Sequence, residues 1–218
     1  MWIGSRYRSD DWAHISQNLP TDGGFAGDDP RTEWAEPVEV MRDRVDTRFM
    51  RTADLLRRAS TAGFVLLLVD SLLIEFLQRL RTDQLDAVGS RELVTTFLRD
   101  RARFDAFRDT SHRGGAKCPC IACDFYRNAR SGIAHYAETR SDWLVKFGRP
   151  ELLGRENGAR VIDRNRFHVL VEDEYADYYR ELLEPANQQL RKTLKDALDG
   201  VCGLRTRGLA SQPSPLTD

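Results

Sequence analysis

Several things that would narrow the class of this chain at once are scarce or missing. Lys and Arg number 33 against 34 Asp and Glu, a net charge of -1, so a globally basic nucleic-acid binder is not indicated. Any contact with RNA has to come from local patches. Met1 to Asp11 lacks an apolar core segment, so the opening residues do not read as a signal peptide. Cytoplasm is the expected location. The longest apolar run, Phe64 to Leu80, is shorter than the roughly 20 residues a bilayer needs and holds Asp70 and Glu75. It reads as a buried helix, and no membrane partner is expected. Cysteines number four, with no second C-x-x-C half to pair with the first group. No repeat or low-complexity block is present.

The 218 residues, 41% apolar, suffice for one well-cored domain, or one domain with a small appendage. Residues 1 to about 37 are polar and punctuated by Pro20, Gly23, Gly24, Gly27 and Pro30, which predicts an irregular lead-in. Trp2, Trp12 and Trp34 suggest that parts of it dock onto the core, because indoles are costly to leave in water. Helical spacing runs from about Val38 to Arg58 and again from Phe64 to Arg81. The second of these is apolar nearly all round, with one polar stripe of Ser71, Glu75 and Gln78. A third helix is predicted to run to about Phe107, with Ser90 as its N-cap. Trp143 to Phe147 and Ala159 to Ile162 predict two short strands around a long turn, a hairpin-like excursion. Asn165 is the candidate cap of the next helix, Pro185 its break, and the last helix ends at Gly200. Residues 203–218, with Pro213 and Pro215, predict a flexible tail.

The chemistry gathers on Cys123 to Glu138. At about 100° per residue, Ala122, Phe125, Tyr126, Ala129, Ile133, Tyr136 and Ala137 fall on one arc, and Asp124, Arg127, Asn128, Ser131, His135 and Glu138 on the other. Gly132, at the edge of the apolar arc, predicts close approach of another element. It accepts a helix-propensity cost of roughly 1 kcal/mol relative to Ala. Glu75, on the buried helix, needs a cationic partner to keep its charge, and Arg130 is the candidate.

Arg130-Ser-Gly-Ile-Ala-His135 resembles the R-x(4–6)-H motif of the HEPN superfamily. The surrounding F-Y-R-N-A-R-S-G-I-A-H-Y-A-E-T, the upstream L-L-I-E-F-L and the downstream I-D-R-N-R-F-H are similar, in that order, to one group of HEPN-like bacterial proteins. The resemblance covers about residues 40 to 200. It implies a mainly α fold, a HEPN-like bundle of four to five helices over 38–202, with the short β-hairpin insertion after the motif helix at about 142–163. It also implies a metal-independent endoribonuclease with catalytic Arg130 and His135, in the setting of a toxin or anti-phage effector, with RNA and a partner protein of such a system as partners. Arg127, Asn128, Ser131, Glu75 and Glu138 would bind RNA or support the site.

Cleavage without a metal needs a group that exchanges protons near neutral pH, which histidine provides, and a cation matched to phosphate oxygens, which arginine provides. Five residues apart on a straight helix, Arg130 and His135 point about 140° from each other. One helix does not bring them together; the resemblance implies a homodimer in which two motifs line one cleft. Ser131 stands where the family commonly has Asn, Asp or His. The alternative it opens is a catalytically inactive module that binds RNA, a nucleotide or a protein. A local basic stretch from Arg99 to Arg130, eight basic residues against four acidic, is the candidate RNA patch.

No cofactor is expected. Cys118, Cys120 and Cys123 offer up to three thiolates, and His112 or Cys202 could complete tetrahedral zinc. Without a paired half, free or buried thiols are the expectation in a reducing compartment. His168 reads as a core or cap residue, with a second catalytic histidine as the lesser alternative.

Overall fold

The computed structural model describes residues 1–82, 88–115, 117–140 and 142–204. The predicted tail lies outside these residues from position 205 on. Residues 1–37 are more regular than their composition suggests, because α1 (Ser9–Gln17) forms within them. Its third residue, Asp11, turns back to accept the Arg8 N–H at 2.6 Å, satisfying a donor that a helix start leaves open. Trp12 is fully buried and donates to Asp199 at 2.8 Å, which binds α1 to the far end of the chain. Trp34 is buried too, whereas Trp2 stays 54% exposed.

Helix α2 (Arg31–Val45) starts earlier than Val38, with Pro30 at its cap and Pro37 inside it. It passes through a widened π turn (Asp46–Met50) into α3 (Arg51–Arg58). Helix α4 (Gly63–Thr82) lies in the middle of the bundle, as its all-round apolar sequence requires. Helix α5 (Ser90–Asp100) ends in a break and a 3-10 turn (Ala102–Phe107) rather than continuing to Phe107 as α-helix. Its cap is Gly89. The Ser90 hydroxyl donates instead to Glu75 at 2.7 Å.

The motif helix is one continuous rod with a bulge: α6 (Ile121–Asp124), a π turn (Phe125–Arg130) and α7 (Ser131–Tyr136). Three strands follow, β1 (Trp143–Lys146), β2 (Leu153–Glu156) and β3 (Ala159–Asp163), in the order β1-β3-β2. The two predicted strands do pair, but in parallel; the hairpin joins β2 to β3. Its turn is Asn157-Gly158, both with positive φ, a dipeptide suited to tight hairpins. The insertion is therefore a small mixed sheet. Helices α8 (Arg164–Leu182) and α9 (Gln188–Cys202) complete the chain. The cap of α8 is Asp163, which accepts the Arg166 N–H at 2.8 Å, so Asn165 lies inside the helix. The fold is mainly helical, and no helix among the described residues is long and apolar enough to cross a membrane.

Phe97, Phe104, Phe107, Phe125, Phe167 and Trp143 form a chain of ring contacts at the centre, with centroids 5.3 to 6.3 Å apart. Most are edge-to-face, a geometry worth about 0.5–1.5 kcal/mol per pair beyond area burial. This cluster joins α5, the motif helix, β1 and α8, so the motif helix is seated by packing before any polar contact is considered.

One polar pair crosses the same core. Asp70 of α4 and His168 of α8 are both fully buried, with Oδ1 and Nδ1 2.7 Å apart. Burial raises the Asp70 carboxyl to about 6 against the pull of His168. Burial opposes the charged imidazole as well, but the Asp70 hydrogen bond and charge outweigh it and raise His168 above its ordinary value. Glu172, 3.7 Å from His168 Nε2, and Arg57, 3.8 Å from Glu172, face the pair from α8 and α3.

A group whose pKa is raised by folding contributes stability below its unfolded pKa and loses it as pH climbs through the folded one. Both groups are shifted upward, so both act in the same sense. Comparison of wild type with Asp70→Asn/His168→Gln by denaturant unfolding is expected to show wild type losing relative stability from about pH 4 to above pH 6.5. His168→Ala alone, which strands Asp70, is expected to cost about 3–5 kcal/mol.

Candidate functional site

The π turn decides which motif side chains face outward. A turn closed by i→i+5 bonds advances each residue by less than 100°, so side chains within it are rotated from where a regular helix would place them. Asn128, placed on the polar arc, is buried, and its amide donates to Asp124 Oδ1 at 2.8 Å. Arg127 reaches back to the Cys118 carbonyl at 2.9 Å and lies 3.8 Å from Asp124. Arg127 thus holds the helix to the segment before it, and Asn128 braces the helix internally.

Arg130 faces the interior. Its Nη2 lies 3.5 Å from Glu75 Oε2, with each side chain less than 15% exposed. Its guanidinium also sits over the Tyr126 ring, 5.3 Å from the centroid. The carboxylate proposed for it from the polar stripe of α4 is the one it meets. Glu75 Oε1 takes Ser90 at 2.7 Å and Arg79 at 3.1 Å, so the acid ties three elements to one point. Arg130 Nε and Glu75 Oε2 are buried and have no hydrogen-bond partner among the described residues.

His135 lies five residues on, in the last turn of α7, and is exposed. The helix stops at Ala137, whose φ of 57° takes the left-handed form common at helix ends. Tyr136 is 65% exposed, Glu138 is exposed, and Ser131 is half-buried. The structure thus brings Arg130 to Glu75, and leaves His135, Tyr136 and Glu138 together on an outer surface.

Two residues that sequence reasoning passed over organise this site. Asp124 accepts Trp143 Nε1 at 2.8 Å and pairs with Arg160, besides holding Asn128. It is the joint between the motif helix and the sheet; only its place in the first helical turn hinted at a special role. Arg140 closes the other end, its N–H donating to the Asn128 carbonyl at 2.6 Å. The element that approaches Gly132 is this return of the chain itself.

A second cluster abuts the start of the helix. His112 Nδ1 lies 3.2 Å from Cys120 Sγ, 3.4 Å from Cys118 Sγ and 3.9 Å from Cys123 Sγ. Burial disfavours the Cys118 thiolate, but N–H donors from Arg113 and Cys120 and the neighbouring thiols outweigh it and lower its pKa. Cys120 is pushed up, by burial first. Asp109 fastens the loop, with Ser111 on one oxygen and the Ile121 N–H on the other at 2.7 Å. Cys202 sits on α9, outside this group.

The basic stretch is partly neutralised by α8. Arg101 meets Glu174 at 2.9 Å and Arg103 meets Asp177 at 2.6 Å. Its net positive character toward solvent is smaller than the sequence count suggests.

A Cβ on residue 132 would stand 2.6 Å from the Glu138 carbonyl oxygen and 3.0 Å from the Arg140 nitrogen, both backbone atoms that cannot swing away. Gly132→Ala is expected to destabilise the fold by about 1–3 kcal/mol in denaturant titration, despite the better helix propensity of Ala. Comparison of the chain with protein-family models, with curated proteins and with solved structures gives no match.

Proposed function

We propose that this protein is a metal-independent endoribonuclease of HEPN type that acts as a homodimer, with Arg130 and His135 as its catalytic residues. The observation that carries the reading is the contrast between the two motif side chains. Arg130 is held against Glu75 in the interior, while His135 is exposed at the end of the same helix. A fixed cation and an accessible imidazole are what phosphodiester cleavage by the neighbouring ribose requires.

In that reaction the 2'-hydroxyl attacks phosphorus while its proton passes to a base. The P–O2' bond forms, the P–O5' bond breaks, and the leaving 5'-oxygen takes up a proton. The products are a 2',3'-cyclic phosphate and a 5'-hydroxyl. His135 exchanges the proton, and Arg130 neutralises charge on the non-bridging oxygens. Because the two point apart along one helix, the imidazole of one copy works with the guanidinium of the other. The exposed Tyr136 beside His135 provides apolar surface for that pairing.

One observation favours a second reading, a module that binds RNA, a nucleotide or a partner protein without cleaving. Arg130 is only 13% exposed and already ion-paired, so its first role is to fix the helix. A toxin or anti-phage role is compatible with either reading and follows from the sequence resemblance alone.

The test is cleavage of a panel of structured and single-stranded RNAs with no divalent cation added and no chelator present. Wild type is expected to give 2',3'-cyclic phosphate ends and to spare a substrate with 2'-deoxyribose at the cut site. His135→Ala, at an exposed position, is expected to keep wild-type thermal stability and lose about 100-fold or more of the rate. RNA left intact by wild type across the panel removes the nuclease reading; weakened RNA binding by His135→Ala in that case selects the second.

A further inference from the structure

We propose that His112, Cys118, Cys120 and Cys123 bind one zinc ion as a closed structural site that clamps the segment carrying His112 to the start of the motif helix. The proposal does not depend on the ribonuclease reading, and its test needs no RNA.

Four donor atoms converge here from two sides. The three sulfurs come from a C-x-C-x-x-C segment running into the first turn of α6, and the imidazole nitrogen comes back from the preceding loop. All four ligand atoms lie within 4.8 Å of one another. Zinc–sulfur bonds of about 2.3 Å and zinc–nitrogen bonds of about 2.0–2.1 Å arranged tetrahedrally need edges of roughly 3.5 to 3.8 Å. The Cys118–Cys120 separation is 3.4 Å, and the three His112 separations run from 3.2 to 3.9 Å. These values bracket a tetrahedral shell and are far from a sulfur–sulfur bond of about 2.05 Å.

The environment of the sulfurs agrees. The three cysteines are buried, at 1 to 2% exposure. Backbone N–H groups point at two of the sulfurs, Arg113 to Cys118 and Cys123 to Cys120, each at 3.4 Å. Donors of that kind stabilise thiolate ligands from outside the metal shell. A thiol is a weak hydrogen-bond donor with one proton, so hydrogen bonding among three thiols gives little reason to gather them around one ring nitrogen. A soft divalent cation gives a strong one, and three thiolates with an imidazole select zinc and form a closed structural set.

The consequence reaches the motif through one hydrogen bond. Arg127 of the π turn donates to the carbonyl of Cys118 at 2.9 Å, so the residue that holds the metal also positions the widened turn ahead of Arg130.

Metal analysis of the full chain purified without chelator is expected to find zinc at one equivalent per chain. Cobalt taken up by the metal-free chain is expected to give the intense ligand-field and thiolate charge-transfer bands of a tetrahedral thiolate-rich site. Cys120→Ser and His112→Ala are expected to lower zinc content at least tenfold. His112→Cys restores a four-ligand shell and is expected to retain zinc, as is Cys202→Ser, which separates ligand loss from misfolding. Wild type that carries no zinc and takes up none on titration overturns the site, as does stoichiometric iron or a disulfide among the three cysteines. Retention of zinc by His112→Ala removes the histidine from it.

Discussion

The pairing of Glu75 with Arg130 sets the rotation of the motif helix about its own axis. A carboxylate inside a helix bundle is costly to leave without a cation, and Glu75 sits on a helix that is apolar on nearly every other side. Once Arg130 turns inward to meet it, the residues half a turn away must turn outward, and His135 is among them. Asp124 locks the other end through Trp143, Arg160 and Asn128. The helix is thus pinned at two carboxylates, one supplied by α4 and one of its own. The π turn lies between them and absorbs the difference in register.

Other buried carboxylates follow the same rule in this fold. Asp70 finds His168, and Glu174 finds Arg101 with Arg81 close by at 3.8 Å. Each joins two helices distant in sequence, so the polar contacts inside the bundle also fix which helices are neighbours. The acids of α8 take up arginines that would otherwise form a basic face. RNA contact, on the proposed reading, falls to the end of α7 rather than to the Arg99–Arg130 run.

Local pattern made much of this legible in advance. The apolar run of α4 and the spacing in α8 and α9 carry their own evidence, because burial repeats every three or four residues. The Glu75–Arg130 pair was legible because an acid on a polar stripe of an otherwise apolar helix demands a base. Three features were not. The π turn leaves no mark in composition, and regular helical spacing puts Asn128 on the wrong face. Parallel pairing of β1 with β3 depends on contacts across the whole insertion, and the glycines around β2 make that stretch resemble a turn. Ser90 and Asn165 are good capping residues, yet Gly89 and Asp163 hold those positions; the Ser90 hydroxyl is engaged by Glu75. The histidine and cysteines near the motif were visible as candidates, but only the returning loop selects His112 over Cys202.

The bond from the Trp12 indole to Asp199 spans 187 positions. A ribosome adding about 5–20 residues per second leaves that indole waiting on the order of ten to forty seconds for its acceptor to be synthesised. Throughout that interval α1 has no α9 to lie against, and its apolar face is open to holdase chaperones or to neighbouring nascent chains. Vectorial synthesis therefore makes the first helix of this protein among the last to find its place.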